Sequence, residues 1–109
     1  MRYVLLVLIA GCGLDRNIEG KITIHQGVYG LLVDQDLPVA NAHLVVLAAG
    51  QRGTYADATS DHDGVYQIEL SAGDFTLCTS SCTPITVLGS ATVRYDWTSG
   101  PGGGHWERL

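Results

Sequence analysis

The sequence predicts an all-β protein, a seven- to eight-stranded antiparallel β-sandwich. Three observations carry this. Short apolar runs alternate with polar residues at a period of two. Clusters of Gly, Asp, Ser and Pro interrupt them every 8–12 residues, the spacing of strands joined by turns. No window of 11 or more residues has helical periodicity.

The chain opens Met1-Arg-Tyr-Val-Leu-Leu-Val-Leu-Ile-Ala-Gly-Cys12. One positive charge, an apolar run from Tyr3 to Ala10 and a small residue form the order of a secretory signal. The run is too short to cross a bilayer, which takes about 20 apolar residues. Ile9-Ala10-Gly11-Cys12 resembles the lipobox of bacterial lipoproteins. That resemblance implies a lipoprotein signal peptide over 1–11, cleavage before Cys12 and acylation of Cys12. A polar tether over 12–20 follows, Gly13-Leu-Asp-Arg-Asn-Ile-Glu-Gly20 completing it. Gly13 stands where some bacteria place an inner-membrane retention aspartate, so the expected location is the cell envelope, the outer membrane if there are two.

A sandwich domain is expected over 21–97. Lys21-Ile-Thr-Ile-His25 alternates as a half-buried strand does. Gly27-Val-Tyr-Gly-Leu-Leu-Val33 puts Val28, Gly30 and Leu32 on one face, and Asp34-Gln-Asp-Leu-Pro38 turns the chain. Ala42, Leu44 and Val46 form the inward set of the next strand. A small-residue strand covers Thr54 to Thr59, and Ser60-Asp-His-Asp-Gly64 is a turn whose glycine accepts positive φ. Tyr66, Ile68 and Leu70 point inward, followed after Ser71-Ala-Gly-Asp74 by Phe75 and Leu77. Pro84–Val87 and Ala91–Trp97 complete the series. Residues 98–109 hold a glycine-rich tail, in which Thr98-Ser-Gly-Pro-Gly-Gly-Gly104 is flexible by composition and His105-Trp-Glu-Arg-Leu109 either folds back or stays loose.

Two segments together resemble the carboxypeptidase regulatory-like domain, a transthyretin-like (prealbumin-like) Greek-key sandwich. The first is residues 28–46, with a central Gly30 and Pro38-Val-Ala-Asn-Ala42. The second is residues 59–77, with Asp61-His-Asp-Gly64, an aromatic strand and Gly73-Asp-Phe75. The resemblance implies an accessory module that spaces, stabilises or adheres. It leads to the expectation of a lipid-anchored, non-enzymatic structural or binding protein without a cofactor.

Charge narrows the partners. The chain has 6 basic against 11 acidic residues, and Arg2 leaves with the signal. Nucleic acid is excluded as a partner on that balance. The membrane is reached through acyl chains rather than charge. The other expected partner is an envelope protein or glycan.

Export to an oxidising compartment makes a disulfide between Cys78 and Cys82 the expected state, since Cys12 belongs to the lipobox. A thioredoxin-like redox pair has one residue fewer between its cysteines and a helix start. Asp61 and Asp63 are a turn or a weak calcium candidate. The turn is preferred, because a calcium loop counted with Gly64 as its sixth position has Thr59 first and Leu70 twelfth. His25, His43, His62 and His105 show no metal-ligand spacing and are read as surface groups. Lys21, Glu69 and Asp96 invite comparison with self-crosslinking collagen-adhesin domains, but Lys21 and Glu69 lie opposite the inward faces of their strands.

Tyr29, Tyr55, Tyr95, Trp97 and Trp106 are the candidate binding aromatics for a carbohydrate or peptide; an exposed cluster of them would favour that role. Transthyretin-like hydrolases share the fold and end in Tyr-Arg-Gly-Ser, where this chain ends Trp106-Glu-Arg-Leu109. A cleft combining histidine, arginine and a hydroxyl would revive the hydrolase reading.

Overall fold

A computed structural model describes residues 16–109. The signal segment, Cys12 and the first part of the expected tether, residues 12–15, lie outside the described residues. Among the described residues nine strands run β1 Gly27–Asp34, β2 Leu37–Pro38, β3 His43–Ala48, β4 Ala56–Thr59, β5 Val65–Glu69, β6 Gly73–Cys78, β7 Cys82–Val87, β8 Thr92–Gly100 and β9 Gly103–Arg108. One 3-10 turn, Glu19–Lys21, precedes them.

The strands form two sheets. One has the order β2-β1-β8-β9, with β5 also paired to β1; the other is β4-β3-β6-β7. All pairings are antiparallel except β1 with β8, which run parallel with Val28 beside Val93 and Leu32 beside Trp97.

Period-two alternation fills the space between the sheets. Val28, Leu32, Tyr66, Ile68, Leu70 and Tyr95 face Leu44, Val46, Phe75, Leu77, Ile85 and Val87. The inward sets expected from the sequence for β1, β3, β5 and β6 are the ones found. Each fully buried large apolar side chain contributes about 1.5–3 kcal/mol. Gly64 sits at φ +80°, and a Cβ there would come within 2.6 Å of the Leu32 carbonyl oxygen. Asp61 Oδ1 accepts from the backbone N–H groups of Asp63 at 2.8 Å and Val65 at 3.0 Å, closing the same turn. The disulfide joins Cys78 and Cys82 directly across β6 and β7.

Three local expectations need correction. Lys21–His25 is not a strand. The Gln67 carboxamide oxygen accepts from the Thr23 and Ile24 N–H groups at 2.9 and 3.2 Å, so one β5 side chain does the work of a paired strand. The tether does not extend to residue 20. Ile18 is buried with Leu31, Val33 and Val65 on the outer face of the β1 sheet, and Ile22 and Tyr29 pack beside it. The glycine-rich stretch 98–104 is not a flexible tail, and of the two alternatives for residues 105–109 the folded-back one is found. The tail returns as β9, with Gly100 opposite Gly103 and Trp97 opposite Trp106. A turn at Pro101-Gly102 and the burial of Trp106 against the core outweigh the flexibility of its glycines.

Candidate functional site, a polar cleft beside the N-terminal segment

The outer face of the β1-β8-β9 sheet is divided. Its β1 and β5 half is covered by the N-terminal segment through Ile18 and Ile22. Its β8–β9 half stays open, leaving a cleft of about 620 Å³ lined by Arg16, Glu19, Tyr29, Arg94, Asp96, Thr98, His105, Glu107 and Leu109. Strand register explains the grouping. Arg94, Asp96 and Thr98 alternate along β8, and Glu107 and His105 stand opposite Asp96 and Thr98 on β9.

Arg94 is the hub. Its Nε donates to Asp96 Oδ1 at 3.0 Å and its Nη2 to Asp96 Oδ2 at 3.1 Å, a bidentate pair. Nη1 donates to Glu19 Oε2 at 2.8 Å, and Nη2 also reaches the Arg16 carbonyl at 2.9 Å. The side chains of Arg94 and Asp96 are only 11% and 7% exposed, so this pair is largely withdrawn from water. Burial by itself would lower the Arg94 pKa; the hydrogen bonds it donates to Asp96 and Glu19 reverse that and raise it. Glu19 is held below the ordinary carboxylate range, first by its own backbone N–H and then by Arg94. Tyr29 donates to Glu19 at 3.3 Å, and its pKa is raised by desolvation and then by the Glu19 charge.

Directly beneath Asp96 the β1–β8 ladder opens. Backbone pairing stops between Tyr29–Arg94 and Leu32–Trp97. Leu31 N–H donates instead to Asp96 Oδ1 at 3.0 Å, and the Tyr95 carbonyl accepts from the Tyr66 hydroxyl at 2.6 Å. Gly30 makes room for this, since a Cβ there would lie 1.8 Å from the Tyr95 oxygen.

The residues singled out in the sequence are dispersed. Of the five aromatics, Tyr29 lines the cleft, Tyr55 is exposed against Phe75, and Tyr95 is buried. Trp97 and Trp106 are half-buried and donate to Ser81. They form no single exposed platform, because β8 turns Tyr95 and Trp97 towards the core. Asp61 is engaged in its turn, and Asp63 pairs with Lys21. That pairing holds Asp63 low and raises Lys21, in each case first through their mutual hydrogen bond. Lys21 is thereby directed to the Asp61–Asp63 turn, whereas Asp96 is held by Arg94 and Leu31. No group of three His, Cys, Asp or Glu suited to a metal occurs among the described residues, and no described helix is long and apolar enough to cross a membrane. Sequence reasoning missed Arg94 as a hub. Its signal was there: opposite charges two apart on one strand, flanking an inward tyrosine.

No protein-family model matches the chain, and no curated protein matches it in sequence. The solved structure of 5-hydroxyisourate hydrolase from Klebsiella pneumoniae does match in three dimensions. Its TM-score is 0.60 at 16% identity, over 76% of this chain and 97% of that one. The fold is transthyretin-like. The expectation of a non-enzymatic chain is overturned here, because the transthyretin-like structure it matches is a hydrolase. The likeness carries the fold; it assigns this chain no substrate. The cleft also meets the condition set from the sequence, since Arg94, His105 and the Thr98 hydroxyl all line it.

Proposed function

We propose that this chain is a lipid-anchored module of the bacterial cell envelope, which binds a small polar glycan or peptide fragment in the cleft beside its N-terminal segment. The cleft carries the reading. Its volume, about 620 Å³, falls in the range of small-molecule sites, roughly 300–1,000 Å³. Its walls offer both acceptors and donors, Glu107 and Thr98 on one side and Arg16 on the other. Anchoring rests on the lipobox-like Ile9-Ala10-Gly11-Cys12.

Two measurements test the two halves. A fatty-acid analogue labels the wild type and not Cys12→Ala; equal labelling removes the anchor. Small molecules and fragments from an envelope digest are retained by the full chain and lost with Thr98→Trp, which fills the cleft. Equal retention by the variant removes the cleft as the binding site.

Hydrolysis in the same cleft is a second reading, favoured by one observation. Thr98 and His105 stand directly opposite each other on β8 and β9. Cβ atoms of such partners are about 4.5–5.5 Å apart, within reach for a hydroxyl and a base. Turnover of 5-hydroxyisourate, the compound named for the neighbouring structure, is the direct assay. Activity lost in His105→Ala would establish it, and no turnover by the wild type would remove that substrate.

A further inference from the structure

Cys78 and Cys82 close a three-residue loop, Thr79-Ser80-Ser81, at the end of the second sheet. Both tryptophans of the chain converge on it from the first sheet. Trp97 Nε1 donates to Ser81 Oγ at 3.1 Å, and Trp106 Nε1 donates to the Ser81 carbonyl at 2.9 Å. The same carbonyl accepts from Thr79 N–H at 3.0 Å, and Thr79 Oγ1 donates to the His43 carbonyl at 3.2 Å. The loop is thus the point where the β8–β9 hairpin is fastened to the opposite sheet.

The fastening continues to the cleft through packed groups. Trp106 meets Tyr66 edge to face, with ring centroids 6.2 Å apart. The Tyr66 hydroxyl holds the Tyr95 carbonyl at the opening of the β1–β8 ladder. Asp96, the next residue, holds Leu31 N–H and the Arg94 guanidinium. Strand alternation adds a second route. Trp97 is flanked by Asp96 and Thr98, and Trp106 by His105 and Glu107, all four of which line the cleft.

We propose that the Cys78–Cys82 disulfide is a redox-sensitive clamp on this cleft. Closed, it holds Ser81 where both indoles can donate to it. A dithiol opens it: the S–S bond breaks, two S–H groups form, and the dithiol, giving up two electrons and two protons, closes to its own disulfide. Freed from the covalent closure, the loop releases Ser81 from the indoles, the β8–β9 hairpin shifts, and the cleft wall moves with it. The consequence for ligand rests on the binding proposed above; the coupling itself is measured without ligand.

The experiment uses the full oxidised chain and nuclear magnetic resonance. The probes are the two indole N–H signals, the Arg94 Nε–H signal and the exchange rate of the Leu31 amide. On addition of dithiothreitol both indole signals shift, the Arg94 signal shifts, and Leu31 exchanges several-fold faster while sheet dispersion is retained. Indole signals that stay in place, or that move while Arg94 and Leu31 do not change, overturn the proposal. If reduction unfolds the chain, oxidised Trp106→Phe decides. It keeps a ring beside Tyr66 but removes the N–H bond to Ser81. Shifted Arg94 and Leu31 signals support the coupling, and unchanged ones overturn it. These readings do not require the cleft to bind anything, so failure of the clamp and failure of the ligand proposal are told apart.

Discussion

The Tyr66 hydroxyl donates to the Tyr95 carbonyl at 2.6 Å, at the gap in the β1–β8 register between Tyr29–Arg94 and Leu32–Trp97. Tyr66 is 1% exposed and Tyr95 8%, so water does not replace that bond. Burial, and then the nearby Asp96 charge, push the Tyr66 hydroxyl well above the usual tyrosine pKa and keep it a neutral donor. Tyr66→Phe leaves the carbonyl unsatisfied and is expected to cost about 1–3 kcal/mol. Urea unfolding of the variant checks this, and an unchanged midpoint would mean that the carbonyl finds another donor.

Gly30→Ala addresses the same gap from the other side. The added Cβ would lie 1.8 Å from the Tyr95 oxygen and 2.9 Å from the Tyr66 ring, so β1 and β8 must separate. Overpacking of this kind costs roughly 1–3 kcal/mol and sometimes more. Thermal unfolding of the soluble variant is the measurement, with a clearly lowered midpoint expected.

Arg94→Leu strips Asp96 of its bidentate partner while its carboxylate stays buried. Removing one member of a buried ion pair costs about 3–5 kcal/mol. Part of that loss should return in Arg94→Leu/Asp96→Asn, because the double variant no longer buries an unpaired charge. A double variant no more stable than the single one would contradict this account.

Acid should release the N-terminal segment. The Glu19 pKa is lowered in the folded chain, so the stability it contributes is present above the ordinary glutamate value, about 4.3. It is lost as the pH falls through the lower folded value. Glu19 is exposed, so the effect is modest. The urea midpoint of Glu19→Gln should lie below wild type at neutral pH, and the difference should close in acid. A gap that persists at about pH 2 would assign the effect to packing instead.

The β1–β2 turn offers a gain. Gln35 and Asp36 sit at φ 52° and 67°, the two left-handed positions of a two-residue hairpin. Asp36→Gly places there the residue this turn favours most and should raise the thermal midpoint. A lower midpoint would show that the Asp36 side chain supports the turn.

Much of the sandwich was legible in the chain. Val28 and Leu32, Leu44 and Val46, Tyr66 with Ile68 and Leu70, and Phe75 with Leu77 all face inward as alternation requires. Asp61 and Gly64 announced their turn by residue type alone. The segment Lys21–His25 misled because its alternation is real, while its partner is the Gln67 side chain rather than a strand. The tail misled because glycine content speaks for entropy and says nothing of two indoles that fasten a hairpin. Of the cleft, Tyr29, Asp96 and His105 stand out singly in the sequence, but neither spacing nor composition joins them.

By itself the sequence determined the all-β class, the inward faces, most turns and the cysteine pair. These are local properties, set by residue type and by a side-chain period of two. Tertiary structure decided what lies beside what. It set β1 parallel to β8, seated Ile18 on the outer face, and gathered Arg16, Glu19, Arg94 and Asp96 around one ion pair. Glu19 and Arg94 are 75 residues apart in the chain, and no spacing rule spans that distance. Only the register of the folded strands brings them together.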